Sequence, residues 1–208
     1  MTGSGDLDDE LDRVLIGGRE RRTIRIERYS DGWPRRFERE RKRIEDALGP
    51  VARRIEHIGS TAVPGLAAKP VIDIMVTVDD PDDEAAFVEP MEKAGYRLRV
   101  RERGHRMFRT PERDVHVHVW AADSDDERRH VLFRDWLRAH PADRLEYENA
   151  KLVLAGEWSD MNYYARAKGP VIDRILEHAQ AAAAKPTHPR RGGRSVLSSH
   201  LKRKGEVI

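Results

Sequence analysis

Residues 57–78 read HIGSTAVPGLAAKPVIDIMVTV. From position 70 to 78 the stretch is a near-continuous run of β-branched and apolar residues, the pattern of a central strand covered on both faces. Ahead of it stand a Gly59-Ser60-Thr61 turn and a small-residue segment too interrupted for more than a turn or two of helix. Asp73 sits inside the run, between Ile72 and Ile74. Successive strand side chains point to opposite faces, so Asp73 shares a side with Val71 and Met75. A carboxylate there is expensive to desolvate unless a cation or donors meet it. Two readings stay open: an aspartate held by backbone N–H groups or an arginine, and a ligand for Mg2+ beside substrate phosphates.

Working outward, VARRIEHIG predicts a short strand ending at Gly59. DGWPRRFERERKRIEDALG predicts a helix with Pro34 in its first turn, Gly49 at its end, and Phe37, Ile44 and Leu48 on one face. TIRIERYS alternates Ile24 and Ile26 with charged residues, which predicts a first or edge strand. Downstream, DDPDDEAAFVEPMEKAGY predicts a helix kinked or broken at Pro90. RLRVRERGHRMFRT predicts two strands around Gly104, and DVHVHVW a strictly alternating strand. Helical patterns then run to Ala184, with an interruption at Gly169-Pro170. Strands first and helices last give an α+β fold: a mixed β-sheet with flanking helices and a C-terminal helical segment, rather than a doubly wound one. The expected division is one domain over 23–184, a disordered acidic N-terminus over 1–22 with a helical turn at LDRVLI, and a disordered basic tail over 185–208.

Charged residues make up 37% of the 208-residue chain and hydrophobic ones 38%, yet the formal net charge is only +2. A protein-wide field for nucleic acid is not indicated. The chain has no cysteine, so disulfides and thiolate metal sites are excluded and a metal needs oxygen or imidazole ligands. No apolar segment approaches membrane-spanning length and no signal-peptide pattern opens the chain, so no membrane partner and a cytoplasmic location are expected. For the tail, PRRGGR and LKRK, a solvated charge run is favoured over contact with nucleic acid.

The candidate site grows from Asp73. Gly59 allows close backbone approach, and Ser60 and Thr61 can cap a helical turn or bond a phosphate. In DVHVHVW, Val115, Val117 and Val119 share one face, while Asp114, His116, His118 and Trp120 share the other. Two imidazoles facing the Asp73 side would make a cleft able to hold a divalent ion, so Asp73, His116 and His118 are the expected catalytic and metal residues. Lys69, Arg106 and the i, i+4 pairs Tyr147/Lys151 and Tyr164/Lys168 are expected to line a phosphate-binding wall. Arg134 is a weaker candidate. The expected ligand is a phosphorylated small molecule, and the family resemblance below extends that to a nucleotide.

HIGSTAVPGLAAKPVIDIMV, GHRMF, HVHV, FRDWLR, YENAKLVLA and YARAKGPVI, in that order, resemble the hallmark segments of the GrpB family, also called UPF0157. The likeness covers about Thr23 to His178. The resemblance implies a nucleotidyltransferase-like fold, because that family is assigned to the nucleotidyltransferase superfamily. It also occurs fused to dephospho-CoA kinase. By resemblance, Gly59-Ser60 takes the role of a Gly-Ser turn and Asp73 that of the first metal-binding carboxylate. The second carboxylate position holds Met75, and Asp114 or a histidine would stand for the third. The implied cofactor is Mg2+ or Mn2+ and the implied substrate a nucleoside triphosphate. The accompanying alternative is a non-catalytic nucleotide-binding or accessory module. The phosphate-gripping motif G-x-x-x-x-G-K-[ST] of the kinase is missing from the chain.

Overall fold

The computed structural model describes residues 4–19, 23–158 and 160–184. Five strands form one mixed sheet: β1 (Arg54–Ile58), β2 (Ile72–Val78), β3 (Arg97–Glu102), β4 (His105–Arg109) and β5 (Val115–Ala121), in the spatial order β1-β2-β5-β4-β3. β1 runs antiparallel to β2, β2 runs parallel to β5, and β5, β4 and β3 form an antiparallel meander. The α+β arrangement with flanking helices and a helical C-terminal segment follows the sequence reading.

The period-2 alternation of β2 and β5 sorts the two faces. Ile72, Ile74, Val76 and Val78, with Val115, Val117 and Val119, pack against helices α2 (Gly32–Leu48) and α3 (Val88–Lys93) through Phe37, Ile44, Leu48 and Met91. This is the main core. Among the described residues, the opposite face carries a smaller apolar cluster of Ile58, Met75 and Trp120, with Val131 packed against it. Beside it stand Asp73, His116 and His118. Helices α4 (Asp125–Ala139), α5 (Pro141–Glu157), α6 (Met161–Ala167) and α7 (Gly169–Ala184) complete the described chain. A second apolar cluster joins α4, α5 and α7 to Val63 and Leu66 of the loop before β2. α4 opens on Ser124, whose side chain accepts a hydrogen bond from the Glu127 N–H.

Three local expectations change. TIRIERYS is not a strand: only Glu27 bridges to Ala68, through N–H···O bonds of 2.8 and 2.9 Å. Ile24 is buried and Ile26 only half so, too little to hold a sheet edge. The segment containing Pro90 divides into a single helical turn at Glu84–Ala86 and α3. Pro90 lies in the first turn of α3, where its missing N–H has no intrahelical acceptor to lose. At the N-terminus, where disorder is expected, helix α1 spans Ser4–Val14. Leu11 is 1% exposed, and Leu11, Val14 and Leu15 stand at helical spacing behind the acidic run. The basic tail lies outside the described residues. No described helix is long and apolar enough to cross a membrane.

Candidate functional site

β1 ends at Ile58, directly opposite Asp73. The chain turns at Gly59 with φ 68° and ψ −172°, a conformation open essentially to glycine alone. A Cβ built there would lie 2.5 Å from Asp73 Oδ2 and 3.0 Å from its Cβ. The glycine is therefore what lets the turn close over the carboxylate. Ser60–Ala62 form a short helical turn, whose opening N–H groups find no partners within it.

The parallel pairing of β2 with β5 sets Asp73 beside His116 and Met75 beside His118. His116 Nδ1 lies 3.4 Å from Asp73 Oδ1. One ligand atom from each of Asp73, His116 and His118 falls within 4.8 Å of the others. Burial pushes the Asp73 carboxyl up, but the hydrogen bond from His116 and the nearby His116, His118 and Lys69 outweigh it and hold it at about 2. His118 is held well below the usual imidazole range, by burial first and by His105 second. Its Nδ1 is 3.1 Å from His105 Nε2, and both rings stack on Trp120 at centroid distances of 5.1 and 4.9 Å.

Opposite this cluster stands the lysine wall. Lys151 Nζ lies 4.9 Å over the Tyr147 ring, and Lys168 and Lys69 lie 5.1 and 5.2 Å over the Tyr164 ring. Such contacts stabilise cations that burial would otherwise neutralise. Lys151 and Lys168 are almost fully buried. Lys151 is pushed down to about 7 by burial and by Lys168, against the pull of Glu148. Lys168 is pushed down to about 8 by burial, against the pull of Asp73. Lys151 also donates to the Ala67 carbonyl, and Glu148 accepts from the Ala67 N–H at 2.6 Å. Tyr147, bonded to Ser60, is raised by burial.

A cavity of about 190 Å³ joins these parts. Gly59, Ser60, Thr61, Lys69, Asp73, His116, His118, Tyr147, Lys151, Tyr164 and Lys168 all line it. Arg106 does not belong there. Strand alternation turns Arg106 to the core face with Phe108, where Asp82 at 3.0 Å and Glu84 at 2.5 Å hold it. Its neighbours His105, Met107 and Arg109 face the cavity instead. The alternation itself carries that signal once Phe108 is recognised as core. The Thr61 side chain is committed: its hydroxyl donates to the Val71 carbonyl at 3.1 Å and so accepts from His57 Nε2 at 3.0 Å. His57, pushed down to about 4 by burial, stacks on Phe37. Asp114 turns to Arg36 and Thr110 rather than toward the cavity. Arg134 is a buried tie from α4 to Glu56 and the His57 carbonyl, at 2.6 and 3.0 Å.

Five titratable lining residues escape the sequence reading: Arg99, His105, Arg109, Arg113 and His130. His130 donates Nδ1–H to the Asp126 carbonyl at 2.8 Å and stacks on Trp120. Met75 is fully buried against Ile58 and Trp120. The place of a second carboxylate is thus filled by packed apolar side chains. The residues present fit a single divalent cation held by one carboxylate and two imidazoles, a donor set suited to transition metals.

Comparison with known proteins bears on the whole domain. A family model described as GrpB protein matches residues 23–178. A UPF0157 protein of Streptomyces coelicolor is 49% identical over 169 residues, covering 81% of this chain and 90% of its own. The crystal structure of the conserved protein GrpB from Enterococcus faecalis superposes with a TM-score of 0.68 at 32% identity, covering 76% of this chain and 99% of that one. A dephospho-CoA kinase of Mycolicibacterium paratuberculosis is 31% identical over 180 residues, covering 72% of this chain and 44% of the kinase.

Proposed function

The chain belongs to the GrpB family, and from that premise we propose that it is a nucleotidyltransferase-like protein whose cavity binds a nucleotide with one divalent cation. One observation carries the reading: a carboxylate with two imidazoles and a wall of three lysines line the same cavity. Asp73, His116 and His118 would hold the cation, with Mn2+ favoured over Mg2+ because two of three ligands are imidazoles. When bound, it would neutralise phosphate oxygens and polarise the phosphorus they surround. Lys69, Lys151 and Lys168 hold phosphate oxygens in a site built for negative charge. Gly59 keeps the turn tight against Asp73, and Tyr147 orients Ser60. Such chemistry rests on positioning and electrostatics. In turnover, an acceptor oxygen bonds to the α-phosphorus, the bond to the bridging oxygen breaks, pyrophosphate leaves and the acceptor proton goes to solvent.

Met75 favours a second reading. With the second carboxylate replaced by core, the cavity would bind its nucleotide without turning it over and serve as an accessory module. The similarity to part of a dephospho-CoA kinase supports that reading.

Thermal melting with nucleoside triphosphates, with and without Mn2+, tests both. A ligand at about 100 times its Kd stabilises by about 2.7 kcal/mol, worth about 5–10 °C for a chain of this size. A shift that needs Mn2+ and is lost in Asp73→Asn supports the metal-dependent site. A shift indifferent to metal supports the accessory module. No shift with any nucleotide contradicts both.

A further inference from the structure

The family match begins at residue 23, and helix α1 lies ahead of it. Even so, α1 is part of the cavity wall, through Leu11 and Val14, with Leu15 just after it. It is tied down at both ends. Asp8 accepts a hydrogen bond from the Tyr163 hydroxyl of α6 at 2.7 Å. After the helix, the Ile16 N–H donates to the Arg99 carbonyl at 2.8 Å. The Arg99 guanidinium in turn donates to the carbonyls of Ile16 and Gly18, and Leu15 bridges to Val100 of β3. α1 therefore spans from α6 to the outermost strand of the meander, beside the cavity on that face of the sheet.

The side chains that line the cavity together with α1 include the apolar Val100, Met107 and Met161, alongside Arg99, Arg109 and Arg113. An apolar strip beside three lysines is of no use to a bare phosphate chain. It matches a ligand that carries an apolar part as well as its charge. We propose that α1 completes a second subsite in this cavity, which takes the nucleoside of the bound nucleotide. The lysine wall takes its phosphates. This rests on the phosphate-binding reading above and adds to it a specificity element ahead of the residues that the family model matches. Leu11 and Val14 are specificity residues in this scheme, and neither is among the residues assigned to the cation or the phosphates.

The test compares inorganic tripolyphosphate with ATP, GTP, CTP and UTP by calorimetric titration of the full chain. Wild type should bind tripolyphosphate, and at least one nucleoside triphosphate should bind more tightly. Leu11→Ala should weaken that nucleotide about tenfold, the loss of one well-packed apolar contact, and leave tripolyphosphate within about twofold. Leu11 is buried, so its variant is checked by circular dichroism. Val14→Ala, at a partly exposed position, makes the same test with less risk to the fold. Equal losses for nucleotide and tripolyphosphate, or no loss for either, overturn the subsite. So does a wild type that binds tripolyphosphate as tightly as every nucleotide, with the phosphate reading left standing. A wild type that binds no tripolyphosphate overturns the phosphate reading itself.

Discussion

Replacing Gly59 with alanine tests the geometry that closes the turn over Asp73. Two costs add. A side chain at φ 68° and ψ −172° is in a region that costs about 1–3 kcal/mol outside glycine. The new methyl would also sit 2.5 Å from Asp73 Oδ2, and overpacking of this kind costs about 1–3 kcal/mol. The sum is about 2–6 kcal/mol, or a fall in Tm of at least about 4 °C. Gly104→Ala is the control. Gly104 also has positive φ, 77°, but nothing lies within 4 Å of its added Cβ, so only backbone strain should appear. Urea denaturation of the two variants separates the terms. A second comparison makes Gly59→Ala in an Asp73→Ala background, where the carboxylate is gone and part of the penalty should be recovered. If Gly59→Ala costs no more than Gly104→Ala, the close approach of turn and carboxylate is not as described.

Further expectations concern charge and packing. Lys151 and Lys168, pushed down to about 7 and 8, should regain protons when a phosphate anion binds. Titration at pH 8 in buffers of different ionisation heat should show proton uptake, and affinity should fall as pH rises from 6 to 9. Both folded-state values lie below the 10.5 of a solvated lysine, so the unfolded chain binds more protons between pH 7 and that value. These two groups therefore make stability rise with pH across that window. A flat profile in Lys151→Met and Lys168→Met together would confirm them as the source. Arg106→Met should leave ligand affinity unchanged and lower stability by about 1–3 kcal/mol, because the charge-assisted bonds of the buried Arg106 to Glu84 and Asp82 are lost. A loss of affinity without a loss of stability would return Arg106 to the cavity. Met75→Asp, which restores a two-carboxylate pattern in sequence, should destabilise by more than about 3 kcal/mol, since it buries a charge among Ile58 and Trp120. Melting together with metal stoichiometry checks it, and a stable variant that binds a second metal would contradict the packing account.

Much of the site is legible in the sequence because it depends on local periodicity. Alternation in DVHVHVW separates three valines from two histidines, and i, i+4 spacing sets each tyrosine under its lysine. The decisive contact, Asp73 beside His116, is a matter of strand pairing. Periodicity says which face a residue takes but not which strand lies next to it, and only the parallel β2–β5 register brings the two together. Arg106 shows the converse failure: GHRMF alternates plainly, but its phase can be assigned only when Phe108 is known to be core. His105 and His130 come from elements distant in sequence and meet around Trp120, a contact with no local signature. α1 is obscured because a dense acidic run lowers its mean hydropathy while Leu11, Val14 and Leu15 still hold helical spacing.

The most direct measurement of the central claim is a titration with Mn2+, followed by electron paramagnetic resonance, on wild type and on Asp73→Asn. One Mn2+ per chain in wild type, lost in a variant that still melts cooperatively, is the predicted result. Equal Mn2+ binding by both proteins would contradict it, because the carboxylate and the two imidazoles would then not be holding the ion.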